Sequence, residues 1–159
     1  MFNKRHTIRL YKLNYSLPNQ FFVTICCKGH GCYIGKEPKI KSVIENEIKN
    51  ITNYFSNISV NAIAVMPNHL HLIIEIKYQI KDVTLGKIIR VLKSKVTNSW
   101  LKIIKENKLN TLASIWQRNY FEHRIRNKTE LERYTKYIKN NPANWDRDRY
   151  NPTGFKSIQ

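Results

Sequence analysis

Three residue patterns in this chain could do chemistry. The first is His69-Leu70-His71, which opens an apolar run ending at Ile76. Successive side chains of a strand point to opposite faces, so His69 and His71 project side by side while Leu70 and Leu72 turn away. Two imidazoles at neighbouring positions of one face suit a single divalent metal. A pair of half-buried strand histidines is the plain alternative. The second pattern is Tyr137 with Asn141, four residues apart and therefore on one face of a continuing helix. Tyrosine is a poor nucleophile near neutral pH, because its unperturbed pKa is about 10. It becomes a useful one where a metal polarises the phosphate it attacks and orients the reacting atoms. Asn141 would then complete a His-His-Asn ligand set that leaves positions open for phosphate oxygens. Among nine tyrosines a core aromatic is the ordinary reading, and the company of the His-x-His strand is what favours the reactive one. The third pattern is the crowd of Cys26, Cys27, His30 and Cys32. Adjacent cysteines of a strand face opposite ways, and no second Cys/His cluster follows, so no zinc site is read there.

The elements that must position these residues are legible from periodicity. Phe21 to Cys27 is a β-rich apolar run, broken by Lys28-Gly-His-Gly31. Ile40, Ile44, Ile48, Ile51 and Phe55 recur at helical steps and predict an amphipathic helix over 40–55. Strands over 58–65 and 69–76 follow, separated by Met66-Pro67-Asn68. A second helix is predicted from about Thr84 to Ile104, burying Leu85, Ile88, Leu92, Val96, Trp100 and Ile103. Its other side carries Lys87, Arg90 and Lys93, a stripe that could track a phosphate backbone or simply be a solvated face. Residues 105–113 read as a loop, and the second half of 115–125 as a strand. Asn127 and Glu130 have capping-box spacing for a last helix, which must end near Asn140-Asn141-Pro142. The order strand, helix, strand, strand, helix, strand is α+β. It suits a ferredoxin-like βαββαβ fold with an antiparallel sheet, plus an added C-terminal helix that carries Tyr137.

Bulk properties narrow the function classes. A chain of 159 residues is most simply a single domain, with a basic N-terminal arm over 1–19 and an irregular tail over 143–159. Hydrophobic content of 42% with 11% aromatics argues against disorder. No apolar run is long enough to span a bilayer, so no membrane partner is expected. The N-terminus lacks an apolar signal core, and three cysteines point to reduced thiols, so a cytoplasmic protein is expected. Lys and Arg number 28 against 11 Asp and Glu, a net charge of +17. Such a field attracts polyanions, nucleic acid first.

The ordered set of motifs resembles a known family. Met66-Pro-Asn-His-Leu-His-Leu72 is similar to the His-hydrophobic-His motif of single-tyrosine transposases of the HUH endonuclease superfamily. Trp116-Gln-Arg-Asn-Tyr-Phe-Glu-His123, Arg126-Asn127 and Tyr137-Ile-Lys-Asn-Asn-Pro142 resemble the branch called REP-associated tyrosine transposases. So do Arg5-His-Thr-Ile-Arg-Leu10, Phe22-Val-Thr-Ile-Cys26, and Gly86-Lys-Ile-Ile-Arg90 with Lys93-Ser94. The resemblance implies an HUH-type domain in which His69 and His71 bind Mg²⁺ or Mn²⁺, Tyr137 is the nucleophile, and Asn141 takes the place of the polar residue one turn later. It implies cleavage of single-stranded DNA at hairpin-flanked sites, with the tyrosine oxygen joined to the 5′ phosphate and a 3′ hydroxyl released. The bond energy stays in the phosphotyrosine, so no nucleotide cofactor is needed. Arg118 and Arg126, inside the matching strings, join Lys87, Arg90 and Lys93 as expected DNA contacts.

Two departures qualify the match. The tail beyond Pro142 is short, and Pro142 directly follows Asn141, which puts that ligand on a fraying helix end. His123 is the substitute third ligand or a DNA contact. A homodimer stays open, since Tyr137 could meet the metal of its own chain or of a second copy. Two rival families share parts of this pattern. A histidine-triad hydrolase needs a further histidine where Ile73 stands. A non-catalytic nucleic-acid-binding domain of ferredoxin-like fold explains the charge, but not the set of His69, His71, Tyr137 and Asn141.

Overall fold

Runs that put apolar side chains on alternate positions build the sheet. In the computed structural model, which describes residues 14–153, the strands are β1 (Asn19–Cys26), β2 (Ile58–Val65), β3 (His69–Ile76) and β4 (Phe121–Ile125). They pair antiparallel in the order β2-β3-β1-β4. Helix α2 (Pro38–Tyr54) lies between β1 and β2, preceded by the single turn α1 (Tyr33–Lys36). Helix α3 (Leu85–Asn107) lies between β3 and β4, and α4 (Lys128–Asn140) follows β4. This is the ferredoxin-like βαββαβ arrangement with a further helix at its end, as the element order predicts.

The two faces of the sheet are covered differently. Val23, Ile25, Leu70, Leu72 and Ile74 point to one side and interlock with Ile44 and Ile48 of α2 and with Ile88, Leu92 and Trp100 of α3. Each such fully buried side chain contributes about 1.5–3 kcal/mol from leaving water, so this aliphatic layer carries most of the stability. Phe22, Ala64, Ile73 and Ile125 point to the other side, where they meet Leu131, Tyr134 and Ile138. Helix α4 therefore closes the second face. The central strands β1 and β3 are buried along nearly their whole length because both of their sides are covered.

Element ends follow local chemistry. Helix α2 starts at Pro38, whose missing N–H costs nothing in the first turn. Helix α3 runs beyond the expected end at Ile104 to Asn107. Residues 105–107 have no apolar signature, yet the Asn107 amide donates to the Ile103 carbonyl at 2.9 Å and supports the extra turn. Lys108, at a φ of 52°, closes the helix with its N–H on the carbonyls of Ile104 and Lys105. The cap of α4 is the predicted one, Asn127 Oδ1 accepting the Glu130 N–H at 2.8 Å. The Glu130 carboxylate reaches one residue further back than a capping box requires, to the Arg126 N–H at 2.9 Å.

The tail differs from the expected irregular segment. Pro142–Arg147 forms a 3-10 turn, and the chain then folds back onto the sheet with Asp148 and Asn151 buried. Trp145 gives the reason, since its ring packs into the cluster formed by Phe22, Ile73 and Ile138. The basic arm expected over 1–19 lies outside the described residues as far as position 13. The string expected at 5–10 lies outside them entirely.

Candidate metal and tyrosine site

The site begins at the turn between β2 and β3. Met66, Pro67 and Asn68 form it, closed by the Met66 N–H on the His69 carbonyl at 2.8 Å. The Pro67 carbonyl accepts from the N–H groups of Ile34 and Gly35 in α1. Gly35 allows this approach, because a Cβ there would stand 2.7 Å from the Pro67 ring. Asn68 is fully buried and ties three segments together. Its amide nitrogen donates to the carbonyls of His30 at 2.9 Å and Tyr150 at 2.6 Å, while its Oδ1 meets His69 Nδ1 at 2.8 Å.

These bonds set the histidine orientations. With the Asn68 nitrogen committed as a donor, its oxygen is an acceptor, so His69 carries its proton on Nδ1 and turns the lone pair of Nε2 inward. His71 Nδ1 lies 2.8 Å from Thr24 Oγ1, its neighbour across the β1–β3 pair. The two Nε2 atoms face each other at 3.1 Å. Burial pushes His69 down to about 4 and His71 to about 3 from the ordinary 6.5, so both imidazoles are neutral at neutral pH. Neutral imidazoles with outward partners on Nδ1 are the form that ligates metals.

Asp148 completes a cluster. Its Oδ2 lies 3.6 Å from His69 Nε2. The ligand atoms of His69, His71 and Asp148 all fall within 4.8 Å of one another, the group among the described residues that could share an ion. Two imidazole nitrogens and a carboxylate fit a divalent cation by donor type and spacing. Asn141 adds a further observation. It is buried in helical conformation at the end of α4, and its Oδ1 has no hydrogen-bond partner. The expectation of a frayed end at Pro142 meets a residue that keeps helical dihedrals, is buried, and donates its N–H to the Ile138 carbonyl.

Tyr137 stands over the same face. Its ring centroid is 5.3 Å from that of His71 and 5.9 Å from that of Phe22, all within one chain. Burial, and then the Asp148 charge, raise the phenol above its ordinary pKa of 10, while Asn141 and Arg149 pull it down. The phenol is therefore protonated at neutral pH. Beside it opens a cavity of about 300 Å³ lined by Phe22, His71, Tyr134, Tyr137, Arg133 and Arg149 among others.

The other predicted residues lie elsewhere. His123 shares the face, opposite Phe22 in the β1–β4 register, but its Nε2 is on Glu130 at 3.2 Å and its ring packs on Tyr134. Lys87, Arg90, Lys93 and Arg118 line a separate groove of about 610 Å³ at the start of α3. Within it the Lys93 ammonium donates to the carbonyls of Gln117, Arg118 and Asn119 at 2.8–3.2 Å, which pins the loop before β4. Arg126 is exposed at the end of β4. Cys26 faces the site while Cys27 lies in the aliphatic core, where burial pushes its thiol up to about 12. The two thiols therefore lie on opposite sides of the sheet.

Sequence reasoning missed Asp148 and Arg149, which sit in a run of alternating charges that reads as solvated tail. The available signal was the pair of aromatics around them. Trp145 lies over His69 at 6.2 Å, and Tyr150 lies 4.8 Å from the same ring. Large rings in a polar tail argue for docking.

Comparison with known proteins gives the family. The profile of the family described as "Transposase IS200 like" matches residues 21–141. That span holds the histidine strand, Tyr137 and Asn141, and the chain belongs to this transposase family. A Haemophilus influenzae protein of unassigned function is 33% identical over 91% of this chain and 92% of its own length. Among solved structures, a REP-associated tyrosine transposase bound to a REP hairpin shares the fold. It has a TM-score of 0.63 and 21% identity, and the match covers 87% of this chain and 74% of that one. A Deinococcus radiodurans protein described as a transposase also shares it, with a TM-score of 0.54 and 13% identity over 83% of this chain and 97% of that one. No helix among the described residues is long and apolar enough to cross a membrane.

Proposed function

We propose that this chain, acting as one cytoplasmic domain, cuts single-stranded DNA and rejoins it through a covalent bond to Tyr137, in the manner of the REP-associated branch. The observation that carries the reading is the placement of the Tyr137 ring 5.3 Å from His71, above a buried His-His-Asp cluster of the same chain. A divalent ion, Mg²⁺ or Mn²⁺, held by His69 and His71 with Asn141 or Asp148, would supply the charge that polarises a scissile phosphate.

The protein's own residues account for the rest. Thr24 and Asn68 hold the imidazoles in ligating orientation from outside. Arg149 and Arg133 border the cavity beside the phenol and offer charge to phosphate oxygens. The phenol oxygen bonds to phosphorus as the 3′ oxygen departs and takes up a proton, while the phenolic proton passes to solvent. The phosphotyrosine keeps the energy of the broken bond, and a 3′ hydroxyl can reverse the step, so no nucleotide cofactor is consumed. The cis arrangement of Tyr137 and His71 needs no second copy, although a homodimer remains compatible with it.

Hairpin DNA is the proposed partner. The REP hairpin on the structural neighbour supports it, as does the groove lined by Lys87, Arg90 and Arg118. The test offers the protein labelled single strands carrying the repeats that flank its gene, with Mn²⁺ or with chelator. Cutting that needs both the metal and the hairpin is the expected result. Cutting that persists in chelator, or none on any hairpin substrate, overturns the proposal.

A further inference from the structure

The cavity beside Tyr137 has a wall that cleavage chemistry alone does not need. Paired residues of adjacent strands point to the same side of a sheet. Phe121, opposite Thr24 in the β1–β4 register, therefore stands on the face that carries His71. It is 48% exposed, although the other large apolar side chains of this face, Phe22 and Ile73, are buried. Tyr134 is stacked on Phe22 at 4.5 Å, and Arg133 stands over its ring at 5.1 Å. Tyr134 is thus engaged by a ring and a guanidinium, and Phe121 is the apolar ring of the lining left open to the cavity, 6.5 Å from Phe22. The space measures about 300 Å³, the size at which concave ligand sites begin. Two guanidinium groups, Arg133 and Arg149, border it.

We infer that this cavity is a nucleobase subsite, in which one unpaired base of the DNA strand stacks on Phe121 while Arg133 and Arg149 hold the adjoining phosphates. Aromatic rings beside cations are how proteins hold single strands without reading sequence, because every base offers a π-face. Arg133 already meets Glu130 and Arg149 the Tyr150 hydroxyl, but an aliphatic ligand would use neither charge, whereas a nucleotide uses both halves of the site. The inference rests on the single-strand reading above and deepens it, for it would fix the position of the strand against the phosphate that meets Tyr137.

The test uses the full chain and a short oligothymidylate carrying one central 2-aminopurine, whose fluorescence falls when the base stacks. Wild-type protein should quench it. Phe121→Ala should bind about tenfold more weakly, as the loss of one base–aromatic stack predicts, with the quench gone and the salt dependence unchanged because no cation is removed. Phe121→Tyr should restore both. Circular dichroism and melting of Phe121→Ala should match wild type, since the side chain is half exposed. An unchanged affinity and quench in Phe121→Ala, or no quench in wild type, overturns the inference. Tyr137→Phe serves to separate the two proposals. It should keep the quench while losing covalent chemistry, so a quench that depends on Phe121 in a protein that never cuts DNA defeats only the nuclease reading.

Discussion

Alternate residues of the same two strands lead opposite lives. Leu70, Leu72, Val23 and Ile25 face α2 and α3 in an aliphatic layer. Their neighbours His69, His71 and Thr24 face α4 and the tail, in a layer where polar atoms are buried and turned toward one another. One layer excludes water to gain stability. The other excludes water to keep two imidazoles neutral and aimed, at a cost in desolvation that the first layer offsets. The difference shows how a period-two pattern can assign stability and chemistry to opposite sides of one strand.

The sharpest way to break this comparison is to cut the same strand on each face. Leu72 is fully buried, so Leu72→Ala should lower unfolding stability by about 2–5 kcal/mol, read by denaturant melts. His71→Ala should leave a folded protein and lower divalent-metal affinity by more than the roughly 10- to 100-fold that loss of an outer-shell partner costs, read by calorimetry. Equal stability loss in both, with unchanged metal binding in His71→Ala, would mean that the second face is merely core.

Acid sharpens the contrast further. His69 and His71 titrate near 4 and 3 when folded, against 6.5 when unfolded. Between those limits the unfolded chain binds more protons, so stability falls as pH drops from 6.5 toward 4, by up to about 1.4 kcal/mol per pH unit for each histidine. Above 6.5 this contribution is flat. Measured in chelator, wild type should lose stability over this window faster than His69→Gln/His71→Gln. Parallel curves would contradict the burial of neutral imidazoles.

The smallest expected effect concerns the groove at α3. Lys87→Gln and Arg90→Gln should each reduce the slope of log affinity against log salt by about one, as expected for the loss of one phosphate contact. Lys93→Gln should leave that slope nearly unchanged and loosen the 117–119 loop instead, because its ammonium is held by three carbonyls. A slope change confined to Lys93 would reverse these roles.

Much of this was legible in the sequence, for physical reasons. The two histidines could be assigned to one face because strand periodicity allows no other arrangement once Leu70 and Leu72 are buried. Tyr137 and Asn141 followed from helical spacing, and the end of α4 from Pro142. Asp148 could not be read this way. It reaches His69 through a tertiary fold-back anchored by Trp145 and by the Tyr150 carbonyl on Asn68, and no local period encodes such a contact. The role of Lys93 was hidden for the same reason, since a lysine on a basic helix face looks alike whether it meets phosphate or backbone carbonyls.

On this reading the polar face makes Tyr137 a covalent partner of DNA. The most direct measurement is peptide mapping of the protein after incubation with a cleavable hairpin-flanked strand and Mn²⁺, beside Tyr137→Phe. Tyr137 is 44% exposed, so loss of its hydroxyl should shift stability by no more than about 0.5 kcal/mol. One nucleotide-bearing peptide is expected, modified at Tyr137 and absent from the Phe variant. An adduct on Tyr134 or Tyr150, an adduct that survives Tyr137→Phe, or cleavage with no adduct at all would contradict it.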